Sequence, residues 1–497
     1  MKRGYPHNFW LILLVVLAAV GTLELPAFAI TLRADTATKT LADGTVITVW
    51  GFADDTAGAG TGTVTVPGPQ LNVSPGATLN ITLNNNLPVP VSLVIPGLPV
   101  VPNTVAAPGV SDSLHYDSAV PPNTPVPSNP YFAPNGTNIQ PKNRVLSLTG
   151  IVAPAKGTAS YSINITGRQG TYIYESGTQQ AVQIPMGLYG ALVIGPGASG
   201  PAYPLGTSSQ TAAQVTYDQD QVVLFSEILA RYDWSLTPPR FVTFNEDVVA
   251  AANALTPGSN LTMAHMLDYD PLYYLVNGKS YPDTITPAAN AAPGTPASLP
   301  GLYAPPGKKT LLRLINAGQQ NRVPTIQGTY FDNVDPTIAK PHALYPQVIA
   351  EDGRLYNYAN QEFAPILPAG KSMDVMLDLT QAKMPGYYTL YDRRLSLANA
   401  GVFPGGMLTF LASWDPAAQN CSPFKGDLNN DGKINVVDAL IALKLVVSSG
   451  YDPNGDVTTN NPAFPFVNGL PCGKGSGPLT MSDALAILQK AVGMNPY

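Results

Sequence analysis

The sequence predicts a mainly β protein that ends in a small α-helical module. The chain of 497 residues contains 50 Pro and 45 Gly, and both residue types disfavour long helices. Across residues 31–200, short Val, Ile, Leu, Thr and Tyr runs alternate with Pro, Gly and Asn, as in the strands of a β-sandwich. A second β-rich block covers residues 221–415, and helical periodicity appears only after it.

The N-terminus has the features of an export signal, which we place at residues 1–29. Lys2 and Arg3 precede an apolar run at residues 9–20, and residues 27–29 read Ala-Phe-Ala, a small-x-small cleavage site. The run is shorter than the ~20 residues that span a bilayer. We therefore expect an exported chain without a transmembrane segment after cleavage, in the periplasm, at the cell surface or outside the cell. An uncleaved membrane anchor is the less favoured alternative.

Charge and cysteine content narrow the functional classes. A net charge of −6 provides no basic surface, so nucleic acid is not an expected partner. The two cysteines, Cys421 and Cys472, both lie near the C-terminus. In an oxidising compartment we expect them to form one disulfide.

Finer patterns predict elements inside the two blocks. Residues 171–196 indicate two strands joined by a turn, and residues 244–255 form the one plausible helix of the second block. The proline-rich stretch 99–142 is predicted to be a surface insertion. The Gly, Ala, Pro and Ser residues at 195–206 indicate a linker.

Several phrases in the two blocks resemble those of multicopper oxidases, in which successive cupredoxin domains bind copper. The phrases are VPGPQLNVSPGATLNITLNNNLP, MGLYGALVIGP, YYLVNGKSYPD and LLRLINAG. The resemblance implies two cupredoxin-like Greek-key β-sandwich domains, at residues 30–200 and 201–415. It also implies an oligomer, since two-domain oxidases often place their copper site between the subunits of a trimer.

The chain lacks histidine and cysteine where the resemblance places copper ligands. The matched positions are Val94, Pro96, Glu175, Gly177, Arg322, Thr325, Gln327, Asp392, Arg393 and Arg394, and only the methionine Met407 is retained. Arginine has no lone pair to offer copper. We therefore expect no copper, and we expect Met407 to pack in the core.

Charged residues occupy several of these positions, and they predict a carboxylate–guanidinium network at the domain interface. We expect Glu175 to pair with Arg394 across the domains, in the same chain or a neighbouring one. Asp392 and Arg394 are predicted to share a strand face, because side chains alternate along a strand. Solvated charges at an open interface are the equally weighted alternative.

The segment at 427–438 fits a calcium loop with acid at position twelve. Its ligand positions are Asp427, Asn429, Asp431, the Lys433 carbonyl, Asn435 and Asp438. Asp at position twelve, followed by Ala-Leu and a helix, resembles dockerins, and we assign residues 422–497 to such a module. A second, irregular loop would use Asp456 and Asp483.

The dockerin resemblance implies a protein partner, such as a cohesin-like domain. Positions that contact a cohesin in that family correspond here to Val436-Val437 and Met481-Ser482. The disulfide between Cys421 and Cys472 would tie the first loop to the insertion before the second helix.

The leading functional hypothesis is an exported, copper-free scaffold that acts by binding and is docked through a calcium-loaded module. One alternative is an oxidoreductase-like enzyme with a site rebuilt from Glu175, Asp392 and the arginines. Another is capture of an anion or carbohydrate in a cleft lined by Tyr273, Tyr274 and Tyr330.

Overall fold

The structure is a computed structural model, and it describes eleven segments of the chain. They are residues 27–76, 78–100, 147–254, 269–286, 301–327, 345–380, 386–413, 435–447, 466–467, 470–471 and 481–493. This part of the chain is mainly β with few helices, as the sequence predicts. Within it, no helix has the length and apolar character needed to cross a membrane.

The first block is a sandwich of two sheets. One sheet has the spatial order β2-β1-β4-β7, with β1 Ala27–Thr40, β2 Val46–Asp54, β4 Thr78–Asn85 and β7 Thr158–Asn164. The other has the order β3-β9-β8-β5-β6, with β3 Leu71–Val73, β5 Val91–Val94, β6 Val152–Ala153, β8 Gly170–Ser176 and β9 Tyr189–Ile194. Along β7 every second side chain is buried, the period expected of a strand with one face on the core. The two sheets enclose one hydrophobic core that includes Trp50 and Leu192.

The second block is also built from two sheets around a core. The larger has the order β13-β12-β16-β20-β18-β19, with β14 paired to β12 as well. Its strands are β12 Gln219–Asp233, β13 Arg240–Thr243, β14 Pro271–Val276, β16 Lys309–Asn316, β18 Tyr345–Glu351, β19 Arg354–Gln361 and β20 Ser372–Asp378. The smaller has the order β15-β22-β21-β17, with β15 Leu302–Tyr303, β17 Pro324–Ile326, β21 Gly386–Asp392 and β22 Leu408–Ser413. Side chains from both sheets, such as Phe225 and Leu390, form the second core.

The predicted linker at 195–206 is wrong, because part of this segment is packed into the fold. Strand β10, Gly200–Pro201, pairs with β11, Thr216–Tyr217. Ala202 and Tyr203 are buried together with Met376 of β20. The segment is therefore packed against the second block and is not a free spacer.

The other local differences between the structure and the sequence prediction concern helices. A short helix, α1 at Gln180–Met186, replaces the predicted turn between β8 and β9. A one-turn helix, α2 at Ala212–Val215, was not predicted, although Thr211 and Gln214 form a capping box at its start. The predicted helix at 244–255 is confirmed as α3, Phe244–Asn253, which begins with a capping box of Thr243 and Glu246. Its apolar face, which includes Val248, packs into the core of the first block, so α3 joins the two blocks.

Two helices near the C-terminus pack on each other, as predicted. They are α4, Val436–Val447, and α5, Met481–Ala491. Small side chains make the contact: Ala439, Ala442, Ala484, Ala486 and Ile487 form one buried cluster. Two short strands, β23 Phe466–Val467 and β24 Leu470–Pro471, pair with each other between them in the sequence.

Several sequence predictions fall on residues outside the described segments. These are the signal segment up to residue 26, most of the insertion 99–142, Tyr330, Cys421, Asp427, Asn429, Asp431, Lys433, Asp456 and Cys472. The predicted cleavage site at 27–29 coincides with the start of β1, which pairs there with Thr78–Asn80. Cleavage after residue 29 would remove only this end of the strand.

Candidate functional site

The matched positions of the first block lie together where β5 and β8 are neighbours. Val94 pairs with Glu175 across the two strands. Gly177 is buried beside them, and a Cβ atom there would lie 2.6 Å from Val94 Cγ1. Pro96 is exposed in the turn that follows β5. Three of the four positions are therefore adjacent, but only one of them carries an ionisable group.

Glu175 is a buried carboxyl group near the end of β8. Its side chain accepts a hydrogen bond from Gln180 Nε2 at 3.2 Å. No ion pair with Glu175 occurs among the described residues. Burial raises the pKa of Glu175 to about 7, because the charged form loses its hydration. The group therefore titrates near neutral pH.

A chain of buried hydroxyl groups lies beside Glu175. Thr178 Oγ1 donates to Ser92 Oγ at 2.8 Å, and Ser92 Oγ lies 3.0 Å from Ser147 Oγ. The adjacent Ser176 Oγ donates to Gln183 Oε1 at 2.6 Å. These residues were not predicted from the sequence, because single hydroxyls in strands have no distinctive pattern. These hydrogen bonds join the hydroxyls to one another and to Gln183, and none of them reaches the Glu175 carboxyl group.

The matched positions of the second block contain a buried ion cluster, which we call the Arg322 cluster: Arg322, Glu227, Asp392, Ser396 and Tyr269. Arg322 Nη1 lies 3.2 Å from Asp392 Oδ2 and donates to Ser396 Oγ at 2.9 Å. Arg322 Nη2 pairs with Glu227 Oε2. The side chains of Arg322, Glu227 and Asp392 are fully shielded from solvent.

Local structure positions each member of the Arg322 cluster. The backbone of Arg322 forms a bridge with Leu367 just before β17. Asp392 is the last residue of β21, opposite Pro324. Glu227 lies in the middle of β12, and it was missed at the sequence level. It is the one charged residue in the apolar run 222–230, and that isolated charge is the signal that could have found it.

The Arg322 cluster contains two carboxylates and one guanidinium, and hydrogen-bond donors stabilise the excess negative charge. Glu227 Oε1 accepts from the backbone N–H groups of Gln319 and Gln320 at 2.7 and 3.1 Å, and from Tyr269 OH at 2.6 Å. Asp392 Oδ1 accepts from the backbone N–H of Val323 at 2.9 Å. Such donors stabilise a buried carboxylate in its charged form.

Parts of the predicted carboxylate–guanidinium network are wrong for a single chain. Glu175 and Arg394 do not pair within the described chain: Arg394 is exposed and donates to the Asn321 carbonyl at 3.1 Å. Strand β21 ends at Asp392, so Arg394 lies in a turn and strand alternation does not place the two side chains on one face. Arg393 is also exposed, with its guanidinium 5.7 Å from the Phe363 ring centre.

The remaining matched positions have ordinary structural roles. Thr325 is buried in β17, opposite Tyr391 of β21, whereas Gln327 is exposed just after β17. Met407 is fully buried in the second core. The prediction that Met407 packs in the core is confirmed.

A second buried arginine joins the two blocks. We call its group the Arg313 cluster: Arg313, Asp220, Asp374, Thr171 and Tyr203. Arg313 Nε donates to Asp220 Oδ2 at 2.6 Å, and Nη1 donates to Thr171 Oγ1 at 2.9 Å. Thr171 Oγ1 in turn donates to Asp374 Oδ1 at 2.6 Å, and Tyr203 OH donates to Asp374 Oδ2. The polar network between the blocks thus exists, but it uses residues other than those predicted.

Two of the three tyrosines predicted to line a binding cleft, Tyr273 and Tyr274, make local contacts within the fold. Tyr273 is buried, and its hydroxyl donates to Asp43 Oδ2 at 2.9 Å. Tyr274 is partly buried and lies against the Arg322 guanidinium, with 5.3 Å between Arg322 Cζ and the ring centre. Both therefore stabilise the fold locally.

Two residues of the predicted calcium loop are described, at the start of α4. Asn435 Oδ1 accepts from the Val437 N–H at 2.7 Å, and Asp438 Oδ2 accepts from the Asn435 N–H at 2.8 Å. This reciprocal pattern is a helix cap. It orders the residues that would deliver the last two calcium ligands. For the second loop, Asp483 falls within α5.

At the matched positions, the described residues do not fit a copper centre. Among the described residues, no group of three or more His, Cys, Asp or Glu is placed to hold a metal ion. At the matched positions, the two carboxylates of the Arg322 cluster are bound to a guanidinium. Imidazole and thiolate, which copper sites use, do not occur at these positions.

Comparisons with known proteins find copper proteins of similar chain path. No protein-family profile matches the chain, and no curated protein matches it. Among solved structures, a blue copper oxidase from Nitrosomonas europaea matches with a TM-score of 0.46 and 16% identity, over 80% of this chain and 89% of its own. The multicopper oxidase mgLAC matches with 0.46 and 18%, over 82% and 92%. A copper nitrite reductase from Nitrosomonas europaea matches with 0.45 and 15%, over 79% and 97%.

Proposed function

We propose that this chain is an exported, copper-free β scaffold with cupredoxin-like domains that acts by binding rather than by redox catalysis. The observation that carries the proposal is the Arg322 cluster at the matched copper positions. A fully buried guanidinium there is held by Glu227 and Asp392. A permanent cation in this place repels a metal ion and occupies the carboxylates that could bind one.

Copper loading tests the scaffold proposal. The purified chain is incubated with Cu(II), dialysed, and examined by elemental analysis and by oxidation of a phenolic substrate. We expect no stoichiometric copper, no blue absorbance and no turnover. One equivalent of copper that survives dialysis, together with phenol oxidation, contradicts the proposal.

A C-terminal docking module is the second part of the proposal. Apolar side chains are exposed on both helices of the pair: Val436, Val437, Leu440 and Val447 on α4, and Met481 and Leu485 on α5, with Val492 just after α5. They include three of the four positions that the dockerin resemblance assigns to partner contact. An apolar face of this kind fits the apolar face of a folded partner domain such as a cohesin.

Calcium is proposed to control the docking module. Asp427, Asn429, Asp431 and Asp438 bring three carboxylates and an amide into one loop, and calcium would offset their mutual repulsion and order the start of α4. We expect EGTA, or Asp427→Ala with Asp431→Ala, to lower the unfolding temperature of this module and leave that of the β blocks unchanged in calorimetry. Equal stability of the module with and without calcium contradicts this part.

Docking itself is tested with a purified cohesin domain and the full chain. We expect a calcium-dependent complex in size-exclusion chromatography, and we expect Leu440→Glu to abolish it without loss of helix content. The matched control is Lys444→Glu, which places a carboxylate on the same helix at a site that is not apolar. Binding that persists in EGTA or in Leu440→Glu would exclude the exposed face as the docking surface.

An enzymatic role has one specific observation in its favour, which is the Glu175 carboxyl group. A buried carboxyl whose pKa is raised to about 7 can both give and take a proton near neutral pH. If Glu175 acts in this way, turnover of any substrate found in a screen falls in Glu175→Gln, and its pH profile loses the step near pH 7. An unchanged profile removes this alternative.

A further inference from the structure

A cleft of about 280 Å³ lies at the junction between the two blocks, away from both arginine clusters. One wall comes from the end of β1 and the turn that follows it, and the other from the end of β14 and the following loop. The lining residues that matter here are Lys39, Thr40, Lys279, Ser280 and Asp283. Because both blocks contribute, a ligand in the cleft would contact both.

Two lysines line this cleft. Lys39 Nζ donates to the Val66 carbonyl at 3.1 Å, which satisfies one of its three N–H groups. Lys279 is exposed at the opposite wall. Among the described residues, neither ammonium group has a carboxylate within ion-pair distance.

Lys39 faces both a second cation and one carboxylate in the cleft. Burial and, secondly, repulsion by the Lys279 ammonium lower the pKa of Lys39 to about 8, while Asp283 opposes the shift. The titratable groups that face Lys39 across the cleft are thus one cation and one carboxylate. A bound anion would relieve the repulsion and raise the pKa of Lys39 again.

Ser280 belongs to the wall of the cleft, and it is 2% exposed. Its Oγ is buried and has no hydrogen-bond partner within the part of the chain that the structure describes. Because this oxygen has almost no accessible surface, it does not contact a ligand in the cleft, and the two lysines are the donors that a ligand would meet.

We propose that this cleft binds a small, doubly charged oxyanion between Lys39 and Lys279. Two ammonium groups offer the donors that phosphate, sulfate or dicarboxylate oxygens accept. The inference concerns residues outside the Arg322 cluster and the C-terminal helices, so it stands or falls separately from the proposed function.

Calorimetric titration of the full chain with inorganic phosphate, sulfate and succinate at pH 7 tests the site. We expect saturable binding of at least one of them, with phosphate or sulfate indicating a phosphate- or sulfate-bearing ligand and succinate a dicarboxylate. Lys279→Ala removes an exposed side chain and keeps the fold, so it is the primary variant. Loss of one charge-assisted hydrogen bond should weaken binding about tenfold or more.

Matched variants complete the experiment. Ser280→Ala, whose Oγ does not reach the cleft, and Lys308→Ala, an exposed lysine outside the cleft, should both leave binding unchanged. For sulfate, which keeps its charge, affinity should fall as the pH rises through about 8, because free Lys39 loses its proton there. No binding at millimolar concentration of any probe, or equal affinity in the wild type and Lys279→Ala, overturns the proposal.

Discussion

The two buried arginines of the second block have the same chemistry but different structural roles. Arg322 is enclosed within the second block, where it pairs with Glu227 and Asp392. The second oxygen of each carboxylate accepts a hydrogen bond from backbone N–H groups. Arg313 instead reaches across to Thr171 of the first block, and one of its carboxylates, Asp220, is 20% exposed. Arg322 is therefore paired within the second block, whereas Arg313 links the second block to the first.

This difference shows that the cost of removing a buried arginine depends on the carboxylates that remain without a counter-charge. Charge pairs in a low-dielectric interior bring little net stability, because desolvation offsets attraction. Removal of the guanidinium, however, leaves its carboxylates without a counter-charge. The more completely those carboxylates are buried, the larger the expected loss.

The largest effect is expected for Arg322→Met. It leaves two fully buried carboxylates, so we expect the free energy of unfolding to fall by about 3–5 kcal/mol. Arg313→Met should cost less, because Asp220 reaches solvent and Asp374 keeps the donors Thr171 and Tyr203. Urea denaturation measures both. The exposed Arg394→Met is the control, with a change within about 0.5 kcal/mol. If Arg322→Met lowers the free energy of unfolding no more than Arg394→Met does, the carboxylates of the Arg322 cluster are not left buried without a counter-charge.

Glu175 extends the comparison to a buried carboxyl that has no arginine. Its folded-state pKa of about 7 lies above the ordinary value of 4.5, so the folded protein holds this proton to higher pH than the unfolded chain. The stability associated with the protonated form is complete below pH 4.5 and is lost as the pH rises through 7.

Glu175→Gln should therefore stabilise the protein above pH 7, by an amount on the order of 3 kcal/mol, and make little difference at pH 4. Urea denaturation at pH 4 and pH 8 measures the two values. A difference between wild type and variant that does not change with pH would mean that a cation compensates Glu175.

The next largest loss of stability is expected at Gly318, which packs closely against Glu227. A Cβ atom on Gly318 would lie 2.1 Å from Glu227 Oε2, so Gly318→Ala must displace the carboxylate from Arg322. We expect a loss of about 1–3 kcal/mol by thermal or chemical denaturation. Gly195→Ala is the matched control, since its nearest atoms lie at 3.8 Å and the added methyl fits. Equal effects of the two substitutions would argue against a rigid Arg322 cluster.

A smaller loss of stability is expected at Thr171, where the Arg313 cluster links the two blocks. Thr171→Val keeps the side-chain shape but removes the hydroxyl that links Arg313 to Asp374, at a cost of about 1–3 kcal/mol. Hydrogen exchange should report faster opening in β8 and β20 together, because these strands meet at the link. The exposed Thr38→Val on β1 serves as the control. Faster exchange in only one block would mean that Thr171 does not couple the two.

Much of the fold could be predicted from the sequence, because alternation and turn residues report directly on strands. Residues 244–255 and the two C-terminal helices were recognisable from their periodicity. The pairing of Arg322 with Asp392 agrees with the predicted type of network, since both occupy matched positions. Glu227 and Arg313 were missed because each lies in a strand far from its partners along the chain. Their signal was one charge inside an apolar run, which indicates a buried partner but does not say which one.

Our central proposal is that Arg322 and Asp392, at two of the matched copper positions, pair with each other, and that this pairing occupies the carboxylate that could bind a metal ion. A double-mutant cycle of Arg322→Met and Asp392→Asn, measured by urea denaturation with and without Cu(II), tests it most directly. We predict a coupling energy between about 0.5 and 3 kcal/mol that is the same in both conditions, because the two side chains form a closed pair. A coupling energy of zero, or a wild-type protein that Cu(II) stabilises, would contradict the account.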